Sequence, residues 1–82
     1  MLELRPNCEC CDRDLPAGSP DARICSFECT FCAACAESEL GGRCPNCGGE
    51  LVARPRRPEA KLVTHPPSRT RVVNPRGCAP GA

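Results

Sequence analysis

The segment CSFECTFCAACAE, residues 25–37, places four cysteines within eleven positions: Cys25, Cys29, Cys32 and Cys35. Cysteines this dense serve as disulfide partners, as reactive thiols or as metal ligands. Each of these roles belongs to a different cellular setting, so the composition of the whole chain decides between them.

The chain is short, rich in cysteine and poor in large core-forming side chains. It has 82 residues, of which ten are cysteine, two are phenylalanine and none is tryptophan or tyrosine. A chain of this length buries too little apolar surface to offset its conformational entropy unless covalent or metal cross-links assist. We therefore expect the cysteines to provide the cross-links.

The N-terminal stretch MLELRPNCECC has none of the apolar character of a signal peptide. Nothing in the chain approaches the roughly 20 apolar residues of a membrane span. A protein made without an export signal stays in a reducing compartment, where disulfides are rare. The sequence thus predicts a cytoplasmic protein without membrane contact, whose cysteines bind metal.

Charge divides the chain into an acidic head and a basic tail. Residues 1–53 carry four arginines against nine acidic residues, whereas residues 54–82 carry six arginines and one lysine against Glu59. The tail is rich in proline and arginine without a sustained period, which predicts a disordered or extended segment. Within it, KLVTH (61–65) has some strand-like content, but disorder is the prediction for the tail as a whole. Opposite charge would also allow the tail to fold back over the head.

Local patterns in the head predict one hairpin and one helix. The segment ARICSFECTF (22–31) has strand-forming residues around a tight turn near residues 26–28. The segment CAACAESEL (32–40) is rich in helix formers, and two glycines follow it as a stop signal. Phe27 and Phe31 are predicted to form the small core between hairpin and helix, since the head has no other aromatic residue.

Eight cysteines form four closely spaced pairs: Cys8–Cys11, Cys25–Cys29, Cys32–Cys35 and Cys44–Cys47. Zinc takes four ligands in a tetrahedron, so two such pairs supply one complete site. Four pairs within forty residues, without a secretory signal, predict two structural Zn²⁺ ions per chain.

These pairs combine into two sites in three ways. A first turn, a hairpin and a helix start that converge on one ion form a treble clef, which favours an interleaved assignment. The predicted ligands are Cys8, Cys11, Cys32 and Cys35 for site 1, and Cys25, Cys29, Cys44 and Cys47 for site 2. The alternatives are sequential pairing, and a local site of residues 25, 29, 32 and 35, which would crowd one short segment.

The eight-cysteine spacing over residues 8–47 resembles the RING finger in an all-cysteine form. This resemblance implies a small metal-stabilised α+β domain, RING-like and cross-braced by two zinc ions, over residues 1–53. The strings LELRPNCE, ARICSFECTFCAACAE and CPNCGGELVARP are similar to a family of short bacterial proteins of unknown function with zinc-binding cysteines. That similarity implies a bacterial cytoplasmic protein and supplies no activity.

The RING resemblance does not extend to ubiquitin ligation. RING ligases dock a conjugating enzyme through an aliphatic residue in the first turn, an apolar helix face, a proline in the last turn and a basic residue after the last ligand. Pro45 matches the proline. The first turn offers Glu9 and Cys10, the helix has no aromatic residue, and Gly48 replaces the basic residue.

The sequence predicts a non-catalytic, monomeric zinc protein that contacts a protein partner through its head. Closed all-cysteine sites leave no open metal position for catalysis. The alternative is nucleic-acid contact through residues 54–82, because lysine and arginine attract phosphates without sequence specificity. A further alternative is an iron-binding redox protein, since CPNCGG resembles a rubredoxin turn. Cys10 and Cys78 are interpreted as spare thiols, and His65 as a solvated side chain.

Overall fold

A three-stranded antiparallel sheet and two short helices provide the regular structure of residues 2–74, the part of the chain that this computed structural model describes. In chain order the elements are β1 (Ala22–Ile24), β2 (Thr30–Cys32), α1 (Ala33–Ser38), β3 (Val52–Ala53) and α2 (Glu59–Leu62). The protein is thus a small α+β structure, in agreement with the expected class.

The sheet has the order β2-β1-β3. β1 and β2 form the predicted hairpin, in which Arg23 pairs with Phe31. The turn between them includes Glu28, whose φ of 66° lies in the left-handed region. β3 pairs with β1 through Ile24 and Val52. No hydrophobic period predicts β3, because a strand of two residues is too short to show one.

Helix α1 begins directly after β2 and ends where the sequence predicts. The Sγ atom of Cys32 caps its N-terminus by accepting a bond from the amide of Cys35 at 3.5 Å. At the other end the amide of Gly42 donates to the carbonyl of Ala36 at 2.8 Å. Gly41 and Gly42 have φ angles of 57° and 80°, which glycine adopts at little cost.

The core lies between the sheet, the helix and the N-terminal segment. Phe31 is fully buried, and Leu4 and Leu15 are each only 1% exposed. Phe27, however, is 72% exposed, so its predicted place in the core is wrong. Phe27 lies in the hairpin turn, where its amide donates to Sγ of Cys25 at 3.3 Å, and the two leucines fill the core instead.

Arg54 connects the end of β3 to the N-terminal segment. This residue is only 5% exposed, and its guanidinium donates to the carbonyls of Arg5, Leu15 and Pro16 at 2.9, 3.3 and 3.0 Å. Burial lowers the pKa of the Arg54 guanidinium. Arg54 therefore acts as an internal brace that satisfies carbonyls in a region without regular structure.

The segment KLVTH forms no strand, since Lys61 and Leu62 belong to helix α2. Pro58 precedes this helix, Glu59 lies in its first turn and Lys61 in its last, an order that suits the helix dipole. Neither helix within residues 2–74 is long and apolar enough to cross a membrane. The head–tail division at residue 53 and the disorder of the tail stay predictions.

Candidate metal centre

The first group of cysteines lies where the N-terminal segment meets the start of α1. The sulfurs of Cys8, Cys11, Cys32 and Cys35 all lie within 4.8 Å of one another. The Sγ atoms of Cys11 and Cys32 are 3.7 Å apart. Sulfurs around a tetrahedral zinc with Zn–S distances near 2.3 Å are separated by about 3.8 Å. This group therefore could hold a metal ion, and the one separation of 3.7 Å is close to that value.

The second group joins the hairpin turn to the segment after α1. The sulfurs of Cys25, Cys44 and Cys47 lie within 4.8 Å of one another, and this group too could hold an ion. Cys29 is not in the group, although its carbonyl accepts from the amide of Cys25 at 3.3 Å. The structure thus interleaves the two groups along the chain. That these eight sulfurs are ligands stays a prediction.

Each cysteine group contains a short turn, which we call a knuckle, and the two knuckles have equivalent backbone hydrogen bonds. We call residues 7–14 the first knuckle and residues 43–50 the second knuckle. The amide of Cys8 donates to the carbonyl of Arg13, and the amide of Cys44 donates to the carbonyl of Gly49, each at 2.8 Å. The amide of Asp12 donates to the carbonyl of Cys8, and the amide of Gly48 donates to the carbonyl of Cys44, each at 2.9 Å. Each knuckle also has one antiparallel bridge between its ends, Asn7–Asp14 in the first and Arg43–Glu50 in the second.

The sequence gives little sign of this repeat. Apart from the two cysteines, NCECCDRD and RCPNCGGE share no residue at equivalent positions. The residue after the second cysteine has positive φ in both knuckles: 62° for Asp12 and 78° for Gly48. Asp tolerates this left-handed conformation better than most side chains, so the two sequences form the same turn.

Backbone amides point at the sulfurs in both groups. Cys10 N lies 3.3 Å from Sγ of Cys8, and Gly49 N lies 3.4 Å from Sγ of Cys47. A hydrogen bond to a sulfur favours the thiolate, the form that binds metal. These amides are therefore placed to stabilise the charge that an all-sulfur site accumulates.

Burial and hydrogen bonds from backbone amides have opposite effects on the pKa values of the cysteine thiols. Burial raises the pKa of the Cys25 thiol, but hydrogen bonds from the amides of Phe27 and Cys29 outweigh it, so that pKa is lowered. The pKa of Cys32 is lowered in the same way, since the amide of Cys35 opposes burial.

At the remaining perturbed thiols burial dominates. Burial raises the pKa of Cys44 to about 12, and it also raises the pKa values of Cys8, Cys29 and Cys35. Thiols with raised pKa values keep their protons at neutral pH in the absence of a cation. A metal ion that binds here therefore displaces protons from the sulfurs.

Glu9 connects the first knuckle to the hairpin and to the second knuckle, a role that no sequence pattern predicts. It is 5% exposed. Its Oε2 accepts from the amide of Thr30 at 2.7 Å and from the Arg5 guanidinium at 3.0 Å. Its Oε1 accepts from the side chain of Asn46 at 3.3 Å. A single carboxylate thus joins the first knuckle, the hairpin and the second knuckle.

Three predicted non-ligands have different outcomes. Cys10 belongs to neither group and is buried, but it is disulfide-bonded and is therefore not the spare thiol that was predicted. His65 is exposed, belongs to neither group, and contacts the hydroxyl of Thr64 through Nδ1 at 2.9 Å. Cys78 lies outside the described residues.

Replacement of Cys29 by serine tests whether this residue completes the second site. We expect Cys29→Ser to lower affinity for one of two zinc ions by more than the roughly 10- to 100-fold that loss of an outer-shell contact costs. Zinc titration monitored by native mass spectrometry measures this change. The control Ser26→Ala, in the same turn, keeps both ions. Wild-type affinity for both ions in Cys29→Ser would show that Cys29 is no ligand.

Comparison with known proteins connects these features to a family. The family described as "Protein of unknown function (DUF1272)" matches residues 1–57. An uncharacterized protein of Rhizobium meliloti (strain 1021) is 70% identical over 80 residues, which span 98% of this chain and 95% of that protein. No solved structure matches the chain significantly. The predicted similarity to a short bacterial family of unknown function is confirmed.

Proposed function

We propose, from the premise that the chain belongs to the DUF1272 family of unknown function, that it is a non-catalytic two-zinc scaffold that binds a protein partner. In this proposal it is a cytoplasmic, RING-like domain whose interleaved cysteine groups form a cross-brace. The metal ions hold the fold, and the partner binds to a surface that the folded head presents.

The donor atoms support structural zinc. Both groups consist of cysteines alone, and no histidine or carboxylate of the described residues belongs to either group. Four thiolates in a tetrahedron are typical of structural zinc sites, and iron is the other metal that such a set accepts. Catalytic zinc sites usually combine other ligands with an open position. The composition of the groups therefore favours a structural role.

Exposed Phe27 is the observation that carries the proposed interaction. A small domain gains stability by burying its few aromatic side chains, yet Phe27 is 72% exposed beside the second cysteine group. Val52 is also 50% exposed. Val52 lines a cavity of about 340 Å³ together with Ile24, Cys25, Ser26 and Glu50, and Phe27 directly follows Ser26 in the chain. Exposed aromatic residues beside a cavity are typical anchors of protein interfaces.

We call the surface formed by Phe27 and the cavity residues Ile24, Cys25, Ser26, Glu50 and Val52 the Phe27 face. Its charge indicates the kind of partner. Glu50 is exposed at the cavity and forms no ion pair within residues 2–74. An all-cysteine zinc site adds net negative charge, because its thiolates outnumber the positive charges of the ion. The face therefore fits an apolar side chain of a partner with a lysine or arginine next to it.

The nucleic-acid alternative receives less support. Arg54 and Arg57 of the tail already donate to backbone carbonyls, and Arg71 forms ion pairs with carboxylates of the head. Three arginines that would contact phosphates are thus engaged within the protein. Phosphate binding through the tail would first have to break these contacts.

Substitution of Phe27 separates the two functions. Full-length bait proteins carrying wild-type Phe27 or Phe27→Ser, treated with nuclease, are compared in pull-downs at low and high salt. We expect a partner that wild type retains at high salt and that Phe27→Ser loses. Val63→Ser is the matched control, because Val63 is 85% exposed and lies outside the Phe27 face. Binding that ignores Phe27 and disappears with salt or nuclease would favour nucleic acid instead.

A further inference from the structure

We propose that the first knuckle is a recognition surface for an extended, arginine-bearing segment, and that residues 68–74 of the same chain occupy it as a built-in latch. This surface consists of Asn7, Glu9, Asp12 and Asp14, together with Asn46 of the second knuckle. The latch segment has no helix or strand of its own and is held by contacts with the head. The proposal is independent of the Phe27 face, which is built from different residues.

Arg71 provides the charged contact of the latch. One Nη atom lies 2.8 Å from Oδ1 of Asp12 and donates to the Asp12 carbonyl at 2.9 Å. The other Nη atom lies 2.8 Å from a carboxylate oxygen of Asp14. Arginine presents several donors in a fixed plane, so it satisfies two carboxylates and a carbonyl together. Lysine, with a single ammonium group, would not reproduce this pattern.

The side chain of Asn7 forms hydrogen bonds with the backbone of the latch. Its Nδ2 donates to the carbonyl of Val72 at 2.9 Å, and its Oδ1 accepts from the amide of Val72 at 3.3 Å. Asn7 is 1% exposed, and its Nδ2 also donates to Oδ1 of Asp12 at 3.0 Å. Nδ2 also donates to the Cys8 carbonyl at 3.2 Å, so this atom has partners within the first knuckle as well. Oδ1 has its hydrogen bond from the latch, and a buried polar atom without a partner is costly, so the latch satisfies Oδ1.

Asn74 connects the end of the latch to both knuckles. Its amide donates to the carbonyl of Glu9 at 2.7 Å. Its side chain donates to Oδ1 of Asn46 at 3.3 Å. The surface therefore recognises an arginine, the extended backbone that follows it, and a polar residue three positions after the arginine. A partner with such a segment would have to displace the latch, which makes the latch autoinhibitory.

Exchange of the Val72 and Asn74 amide hydrogens tests the latch within the full chain. We expect Arg71→Glu in the zinc-loaded protein to accelerate their exchange, measured by NMR, by roughly tenfold, because two ion pairs are lost and repulsion replaces them. The matched control is Arg69→Glu, since Arg69 is exposed and makes no hydrogen bond or ion pair within residues 2–74. Equal exchange in both variants, or no protection in wild type, would overturn the proposal.

A synthetic peptide with the sequence of residues 68–74 tests the surface in trans. At millimolar concentration it should shift the NMR signals of Asn7 and Asp14 in the Arg71→Glu chain, and much less in wild type, where the latch competes. A peptide with glutamate in place of its second arginine should cause no shift. Equal shifts in both chains, or none in either, would contradict the proposal, whereas the result with Phe27→Ser has no bearing on it.

Discussion

Removal of metal with a strong chelator is expected to unfold the chain. Zinc binding in small zinc domains provides roughly 10–16 kcal/mol per site, which exceeds what a small apolar core contributes. Much of the core cluster here consists of the cysteines themselves, including Cys8, Cys25, Cys32 and Cys44. We therefore expect far-UV circular dichroism to change to the spectrum of an unfolded chain.

Metal replacement provides the control for this experiment. Addition of Zn²⁺ in excess of the chelator should restore the folded spectrum, whereas Mg²⁺ should not, because it prefers oxygen ligands. A spectrum that stays folded after complete removal of metal would show that the two cysteine groups are not what holds the fold together.

Replacement of Phe31 by alanine is expected to have the largest effect among changes outside the cysteine groups. Phe31 is fully buried in β2, directly before Cys32 of the first group. Truncation of a buried phenylalanine to alanine costs about 3–5 kcal/mol through lost transfer free energy and the cavity that remains. Denaturant unfolding at fixed free zinc measures this loss, since metal binding itself shifts the apparent stability.

Phe27→Ala is the matched control, because it makes the same chemical change at a residue that is 72% exposed. We expect its free energy of unfolding to stay within about 0.5 kcal/mol of wild type. If the two substitutions destabilised the protein equally, both phenylalanines would belong to the core. Phe27 would then be a structural residue and not an exposed anchor for a partner.

Much of this architecture can be predicted from the spacing of residues. The hairpin follows from strand-forming residues around a turn, and the end of α1 follows from Gly41 and Gly42. The interleaving of the two cysteine groups follows from requiring a turn, a hairpin and a helix start to converge. These features depend on local geometry, which sequence patterns encode directly.

Other features depend on contacts between distant segments, which local patterns do not show. Nothing near Glu9 indicates that its carboxylate meets Thr30 and Asn46. The exposure of Phe27 follows from Leu4 and Leu15 filling the core, and the prediction failed because it counted only aromatic residues. The match between the two knuckles is likewise hidden, because Asp12 and Gly48 reach the same backbone conformation with different side chains.

Native mass spectrometry of the wild-type chain, with the metal identified by elemental analysis, tests the central claim most directly. We expect two zinc ions per chain, with one bound at Cys8, Cys11, Cys32 and Cys35 and the other at Cys25, Cys29, Cys44 and Cys47. One ion per chain, or none, would contradict the two-zinc scaffold, and iron in place of zinc would contradict the proposed metal.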